Sequence, residues 1–327
     1  MRKNFKILNG SMCDCPEGET PTVVVFTDPS PEEKAELIEQ WMVDEHNLRS
    51  ALDPDEIPRI EYDGDIMAII VKRPMNLSIE SRLEFNVSSL GVFAREGRPI
   101  AIVQREDMTP FEIKKTRFTT KNGPVLLVLL NIISHYLGHL RAINMISGEL
   151  EKNLHQALGN QHLISLFTLE KSLVYYVSAI HGNASVLTKM RATATKHGMT
   201  EDEIEKLDEL IIENDQCLKQ AEIYSNILSG MMDARASIVN NNLNHLIKQL
   251  TILSVVFMPL NIIAGMGGMS EFSRYAVDTY KAHWAVAYTG FAIAMVFIAL
   301  LTYWILKRTG LDGGRAGPKF GAMARSK

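Results

Sequence analysis

The chain has 327 residues and a formal net charge of −4, with 38 acidic side chains against 34 Lys and Arg. The Lys and Arg residues form no basic stripe in the sequence, so nucleic acid is not an expected partner. Cys13, Cys15 and Cys217 have no zinc-finger spacing, and we expect Cys13 and Cys15 to be reduced thiols in a mobile N-terminal segment. A hydrophobic share of 46% with mean hydropathy near zero indicates a soluble domain of about 240 residues joined to a small membrane part.

The first part of the chain, residues 1–122, has the pattern of a mixed α/β domain. Asp63-Gly64 and Glu96-Gly97 are hairpin-turn signals between apolar runs. Ser30 precedes Pro31 and two acidic residues, which predicts the start of a helix. The predicted strands are Thr22–Thr27, Ile57–Tyr62, Ile66–Lys72, Gly91–Arg95 and Ile100–Gln104.

Long helices are predicted after Gly123-Pro124. Two of them, Val125–Leu158 and Gln161–Lys196, form helical arms over residues 123–199. The third begins at Thr200, where Glu203 completes a capping box, and runs to about Ala264. Its length would be about 95 Å at 1.5 Å per residue, so we assign residues 200–245 to a stalk.

Two uncharged segments follow, Leu250–Met269 and Trp284–Leu306, and each is long enough to span a hydrocarbon core of about 30 Å. We place the first span at 246–269 and the second at 283–306, with a loop at 270–282 and a tail at 307–327. Aromatic residues of the interfacial type flank the second span: Trp284, Tyr288, Tyr303 and Trp304.

The charges around the two spans predict their orientation. The tail contains six Lys and Arg residues and one acid, so the positive-inside rule places it in the cytoplasm. Two spans then place the N-terminal part in the cytoplasm too, and the start of the chain lacks the apolar core of a signal peptide. We therefore expect a protein of the plasma (inner) membrane with both termini cytoplasmic.

The junction after the first span contains Gly268-Met269-Ser270. It resembles the signature of CorA-type divalent-cation channels, in which Gly-Met-Asn closes the first of two spans at the outer mouth of the pore. The segment from His46 to Tyr62 also resembles the N-terminal domain of these proteins. The resemblance implies a funnel-shaped homopentamer in which an α/β domain, helical arms and a stalk precede the pore helix and an outer helix.

One face of the first span carries its small and polar side chains, at steps of three or four residues. We predict that this stripe lines the pore, although such residues also serve helix packing in membranes. Gly265 and Gly267-Gly268 are expected to permit close backbone approach and to relax the conformation at the helix end. The members of the stripe are Asn244, Ile247, Leu250, Ser254, Met258, Asn261 and Gly265.

The predicted selectivity filter comprises Gly268, Met269, Ser270 and Glu271. In the family motif an Asn amide accepts hydrogen bonds from the water shell of the ion, and Ser270 is shorter, so selectivity is expected to relax. Glu271 would form an acidic collar at the outer mouth, or is a solvated loop acid. Met258 and Leu250 are candidates for hydrophobic constrictions.

Carboxylates on the stalk are candidates for regulation. In CorA-type proteins, carboxylates between neighbouring cytoplasmic domains bind the transported ion and hold the pore shut. Glu209 lies at a matching distance before the signature, and Asp233 is expected at the inner pore entrance. The alternative is an ordinary solvated helix face. His135 and His139 have a spacing that can ligate a transition metal, but we expect core or surface histidines.

Nucleotide-binding and hydrolase motifs are not found, so we expect neither an enzyme nor an ATP-driven pump. We expect no tightly bound cofactor, with divalent cations as substrates and as candidate regulators. The leading hypothesis is a pentameric channel of relaxed selectivity for Mg2+, Co2+, Ni2+ and Zn2+. A ZntB-like zinc transporter and a non-conducting membrane-anchored sensor or adaptor are the alternatives.

Overall fold

A computed structural model of the chain describes residues 1–8, 11–16, 18–75, 84–106, 122–153, 160–275 and 284–308. The chain divides into two compact units, Met1–Ala234 and Arg235–Lys327. Each unit is described by itself below.

A seven-stranded sheet forms the centre of the first unit, with the strand order β2-β1-β3-β7-β6-β5-β4. All neighbouring strands are antiparallel except β3 and β7. The register places Asp63 opposite Ile66, so the Asp63-Gly64 hairpin is confirmed, and Gly64 has the positive φ of 60° that this turn requires. The strands are β1 Arg2–Leu8, β2 Ser11–Asp14, β3 Val23–Thr27, β4 Arg59–Asp63, β5 Ile66–Pro74, β6 Val87–Arg95 and β7 Ile100–Gln104.

The prediction of a mobile N-terminal segment is wrong, because β1 and β2 extend the sheet beyond β3. Phe5 lies opposite Asp14 on one side and opposite Val23 on the other. Cys13 is in β2 and exposed, whereas the Cys15 thiol donates to the carbonyl of Glu19. Sequence reasoning missed these strands because four of the seven residues of β1 are polar, although Phe5 packs against the core.

Helices cover both faces of the sheet. On one face, α1 (Pro31–Glu39) and α2 (Glu45–Leu52) bury Leu37, Leu48 and Ala51. The other face carries the larger core, which α3 (Gly123–Asn153), α4 (Asn160–Thr193) and the first part of α5 (Glu201–Gly267) share with the strands. The prediction of an α/β domain followed by long helices is therefore confirmed.

Capping side chains set the starts of two predicted helices. The Ser30 side chain accepts from the backbone N–H of Glu33, and the Glu33 carboxylate accepts from that of Ser30. At the start of α5, Thr200 and Glu203 exchange the same pair of bonds at 3.3 and 3.0 Å. The predicted capping box at Thr200 is therefore confirmed, and the predicted helix start at Ser30 also has the form of a capping box.

Glu203 also joins the start of α5 to the start of α3. Its side chain is buried and accepts from the backbone N–H of Asn122 at 2.8 Å and from the Asn122 amide at 3.0 Å. Carboxylates are acceptor-only groups with several lone pairs, so one buried Glu satisfies donors from two helix starts.

An asparagine side chain docks α4 onto the free edge of β5. β4 pairs with the first half of β5, and beyond Ile70 no strand among the described residues lies along this edge. The Asn183 amide accepts from the backbone N–H of Lys72 at 2.9 Å and donates to its carbonyl at 2.7 Å. Gly182 permits the close approach, because a Cβ there would lie 2.7 Å from the Pro58 ring.

Replacing Asn183 with Leu is expected to lower the free energy of unfolding of the first unit by about 3 kcal/mol, since it leaves a buried N–H and C=O unpaired. Thermal or denaturant unfolding of the full-length protein in detergent, followed by circular dichroism, measures this. Thr188→Ala on the same helix is the control, because Thr188 is exposed and bonds only to Ala184 of its own helix. Equal stability of the two variants would contradict this assignment.

The second unit contains the end of α5, the short helix α6 (Ser270–Arg274) and α7 (Trp284–Arg308). The segment predicted as a loop therefore begins as a helix, while residues 276–283 lie outside the described residues. α7 extends two residues past the predicted end of the second span. The rest of the predicted tail, 309–327, also lies outside the described residues.

Candidate ion pathway

Three described helices are long and apolar enough to cross a membrane: Gly123–Glu151, Leu163–Thr193 and Glu201–Met266. Within the apolar window of the first, 67% of the residues are buried inside the protein, so packing against the sheet accounts for its composition. None of the apolar window in α5 is buried. The shorter apolar stretch Thr289–Ile305 belongs to α7. Burial thus separates the core helix α3 from α5.

The predicted pore stripe lies on the uncovered face of α5. Every member from Asn244 to Gly265 is exposed in the single chain. The partly covered residues between Leu250 and Met266 form a different face. At 3.6 residues per turn, the centres of the two faces lie about 170° apart around the helix. The partly covered residues are Ile252, Val256, Pro259, Leu260 and Ile263.

Two hydroxyl side chains in this segment bond back to their own helix. Ser254 donates to the carbonyl of Leu250 at 2.9 Å, and Thr251 donates to that of Ile247 at 2.8 Å. Each hydroxyl uses its only proton in this way, so its oxygen remains an acceptor toward the surroundings. Sequence analysis named Ser254 but missed this orientation, although i to i−4 bonding is common for Ser and Thr in helices.

Pro259 interrupts the hydrogen bonds of α5 without ending the helix. It lies inside α5 and has no backbone N–H, so the Val255 carbonyl loses its usual partner four residues on. Asn261, exposed on the stripe, follows within one turn. This part of the pathway therefore combines a carbonyl without its helical donor and a side-chain amide.

The predicted filter lies where α5 ends and α6 begins. The backbone N–H of Gly268 donates to Ala264 at 3.0 Å, and that of Met269 donates to Met266 at 3.2 Å. A Cβ added at Gly268 would meet only backbone oxygens at 3.5 and 3.6 Å, and one at Gly265 would meet nothing within 4 Å. Neither glycine has φ in the left-handed region, and the role expected of the glycines at this helix end stays a prediction.

Ser270 and Glu271 form a hydrogen-bonded pair at the start of α6. The Ser270 hydroxyl donates to the Glu271 carboxylate at 3.2 Å, and both residues are exposed. The Ser270 oxygen thus retains its lone pairs, beside a carboxylate with a second oxygen. Such a pair can accept hydrogen bonds from the water shell of a cation.

Glu209 and Asp233 are both exposed on α5 and stand about 36 Å apart along it, so one chain does not bring them together. Glu209 is one turn before Glu213, whose pKa is raised mainly by burial and secondarily by the Glu209 charge. Among the described residues, no three His, Cys, Asp or Glu side chains cluster as a metal site.

His135 and His139 belong to the core of the first unit. Nδ1 of His139 lies 2.6 Å from the Tyr176 hydroxyl, and the two histidine rings meet edge to face with centroids 4.5 Å apart. Burial, and then the neighbouring His135, lowers the pKa of His139 to about 4. A neutral histidine packed against tyrosine agrees with the expectation of core histidines.

Acid is expected to destabilise the first unit through His139. The unfolded chain binds this proton below about pH 6.5, whereas the folded chain binds it only near pH 4. Stability is therefore full above pH 6.5 and falls by up to about 3 kcal/mol as the pH drops toward 4. Denaturant unfolding of the parent and of His139→Gln at pH 7.5 and 4.5 measures this, with a shallower pH dependence expected for the variant. Parallel pH profiles would contradict it.

The described face of α7 is apolar and ends in aromatic and basic residues. Tyr303 and Trp304 are exposed, and the Arg308 guanidinium lies over the Trp304 ring at 5.3 Å from its centroid. The side chains of Trp284 and Tyr288, the other half of the predicted aromatic belt, lie outside the described residues. The described half of the predicted aromatic belt is therefore the one next to the predicted cytoplasmic tail.

The architecture is that of a membrane transporter for ions, with a sheet domain, long helices and a polar-striped apolar segment. The family model of the CorA-like Mg2+ transporter protein matches residues 22–308. The chain belongs to the CorA-like Mg2+ transporter family, which is a family of divalent-cation transporters rather than enzymes.

Two curated relatives have related sequences. The chain is 25% identical over 292 residues to the cobalt/magnesium transport protein CorA of Methanocaldococcus jannaschii, covering 86% of this chain and 89% of that protein. It is 42% identical over 55 residues to the protein of the same name from Thermotoga maritima, covering 17% and 16%.

Solved structures share the fold. The complete CorA magnesium transporter of M. jannaschii matches with a TM-score of 0.72 and 21% identity, over 95% of this chain and 98% of that one. Full-length CmaX matches with a TM-score of 0.69 and 15% identity, over 94% and 97%. The ZntB cytoplasmic domain of Vibrio parahaemolyticus matches with 0.53 and 10%, over 73% and 98%.

Proposed function

We propose that the protein is a homopentameric channel that passes divalent cations, with much of their water shell retained, through a pore lined by the stripe of α5. The supporting observation is the position of this stripe. Its small and polar residues occupy the face of α5 about 170° from the partly covered face, and the stripe leads to Gly268-Met269-Ser270.

The two faces suggest how the second unit packs in the assembly. The partly covered residues of α7 also follow one helical face, and we assign the covered faces of α5 and α7 to packing of the two spans against each other. The stripe of α5 then remains for contact with other copies around a central axis. The covered residues of α7 are Phe291, Met295, Ile298, Ala299 and Thr302.

The pore chemistry follows from hydration. Mg2+ dehydrates reluctantly, so a pore that accepts hydrogen bonds from bound water conducts it at less cost than one that strips it. Ser254 and Asn261 supply acceptors within the stripe, and the Ser254 oxygen is preset as an acceptor by its bond to Leu250. Met258 forms an apolar ring between these two polar positions, and Leu250 forms another about one turn before Ser254; the pore closes by dewetting at these rings.

The filter is assigned to Gly268, Met269, Ser270 and Glu271. The Ser270–Glu271 pair offers hydroxyl and carboxylate oxygens, and five copies form the acidic collar that concentrates cations at the outer mouth. A serine ring is wider than an asparagine ring, which supports relaxed selectivity among Mg2+, Co2+, Ni2+ and Zn2+.

Regulation by the transported ion is assigned to Glu209, on the outer surface of the stalk part of α5, with Asp233 at the inner entrance. A carboxylate from a neighbouring copy would have to complete a site at Glu209, since one chain has no metal cluster among its described residues. The pKa of Glu213 is raised mainly by burial and secondarily by the Glu209 charge, and the repulsion between these two carboxylates supports the assignment, since a bound cation would relieve it.

Two alternatives keep some support. A zinc transporter is favoured by the fold shared with the ZntB cytoplasmic domain and by the altered triplet. A non-conducting sensor is favoured by Ser270 and by the unusual Met266-Gly267 before the triplet, whereas the retained stripe favours conduction. Whether it is a channel of relaxed selectivity or a zinc transporter, the protein lies in the plasma membrane with two spans and both termini in the cytoplasm.

Cysteine accessibility tests the stripe directly. After Cys13 and Cys15 are replaced by Ser, a charged methanethiosulfonate is expected to lower cation flux by about tenfold or more in Ser254→Cys, because thiolates form in a water-filled pore. Leu253→Cys, one residue away and exposed in the single chain, is the control and should be unaffected. Inhibition of both variants or of neither would contradict the pore face.

A further inference from the structure

An apolar groove of about 440 Å³ lies along one face of α7 near its C-terminal end. At 3.6 residues per turn, this face is centred about 170° from the partly covered face of the same helix. It is therefore the face that packing of the two spans leaves free. The lining residues are Phe297, Leu300, Leu301, Tyr303 and Trp304.

The positively charged side chain of Arg308 lies at the C-terminal end of this groove. Arg308 lies one turn after Trp304, and its guanidinium is held over the indole ring at 5.3 Å from the centroid. This contact keeps the charge on the same face as the groove instead of letting it extend freely into water. The Tyr303 hydroxyl lies at the same level of the helix, in the position of an interfacial aromatic residue.

We propose that this groove binds a phospholipid with an anionic headgroup, with an acyl chain along Phe297 and Leu301 and the phosphate at Arg308. Charge complementarity selects the occupant. An apolar groove accepts any acyl chain, but a fixed guanidinium at the headgroup level favours a lipid with net negative charge. The inference rests on the proposed membrane span of α7 and does not depend on conduction.

Trp304 lines the groove, so its fluorescence can report which lipid binds there. The chain has three tryptophans, and replacing Trp41 and Trp284 with Phe leaves Trp304 alone. Brominated lipids quench tryptophan only at short range, so quenching of this variant in liposomes measures which lipid occupies the groove. Brominated phosphatidylglycerol is compared with brominated phosphatidylcholine in otherwise identical vesicles.

We expect brominated phosphatidylglycerol to bind about fivefold more strongly than brominated phosphatidylcholine, because one basic residue near an anionic lipid raises the affinity by about this factor. Arg308→Gln should remove the preference and Arg308→Lys should retain most of it. Lys307→Gln is the matched control, since it removes one charge from the same turn about 100° around the helix, and it should keep the preference.

Equal quenching by the two lipids in the parent would overturn the proposal. Equal loss in Lys307→Gln and Arg308→Gln would also overturn it, since it would indicate diffuse attraction to the bilayer. Loss of the preference on adding inorganic phosphate would assign Arg308 to a soluble anion instead of a lipid. If the single-tryptophan variant fails to assemble, the quenching difference between the parent and Trp304→Leu supplies the same comparison.

Discussion

Replacing Asn261 with Phe is expected to reduce divalent-cation flux by about 100-fold or more, because five bulky apolar rings would narrow and dewet the pore. Asn261 is exposed on the stripe, one turn beyond Met258 and two turns beyond Ser254 along the same face. The substitution removes an amide acceptor and adds volume at a ring close to the filter. Uptake of Mg2+ or Co2+ into liposomes, read with an internal indicator dye, measures the effect.

Leu253→Phe is the matched control for Asn261→Phe. It introduces the same Phe ring at an exposed position on the same helix, about 110° from the centre of the stripe. It should retain flux within about a factor of two if that face meets lipid. Both variants must first show the oligomer size of the parent on a gel-filtration column. Undiminished flux in Asn261→Phe would place the pathway elsewhere.

Replacing Ser270 with Asn is expected to raise the Mg2+ preference over Ni2+, Co2+ and Zn2+ by about tenfold. The longer amide reaches farther toward the axis and offers a carbonyl oxygen to the water shell. It therefore favours an ion that is recognised through its retained water shell, as we expect for Mg2+. Flux ratios from mixed-ion uptake in one liposome preparation measure the change.

Ser270→Ala separates the acceptor from the size of the ring. It leaves a wide ring without a hydroxyl and releases Glu271 from its 3.2 Å hydrogen bond. We expect lower flux of all four ions and no gain in Mg2+ preference. A Mg2+ preference that is the same in the parent, Ser270→Asn and Ser270→Ala would remove Ser270 from the filter.

Local signals predicted most of the helical part. The Thr200–Glu203 capping box and the absence of helix breakers marked the start and length of α5 to within a few residues. The α2 helix was missed because it spans only eight residues, although Asp44 accepts from the backbone N–H of Asn47 at its N-cap. Short helices and edge strands depend on tertiary pairing, which a single sequence shows weakly.

The candidate site was also predicted only in part from the sequence. Periodicity placed Asn244, Ser254 and Asn261 on one face of α5, and the structure agrees because helix geometry fixes that face. Residue spacing does not predict where individual side chains lie. The sequence therefore did not show the covered face opposite the stripe, the Ser254–Leu250 bond or the Ser270–Glu271 bond. The contact of Arg308 with Trp304 was missed for this reason too, although a four-residue separation on a helix permits it.

The most direct test of the account is ion uptake by liposomes that contain the purified full-length protein. Mg2+, Co2+, Ni2+ and Zn2+ are compared in one preparation, with protein-free liposomes and Asn261→Phe as references. The account predicts uptake of several of these ions, abolished in the variant. A correctly assembled oligomer that passes none of the four would contradict conduction and favour the membrane-anchored sensor.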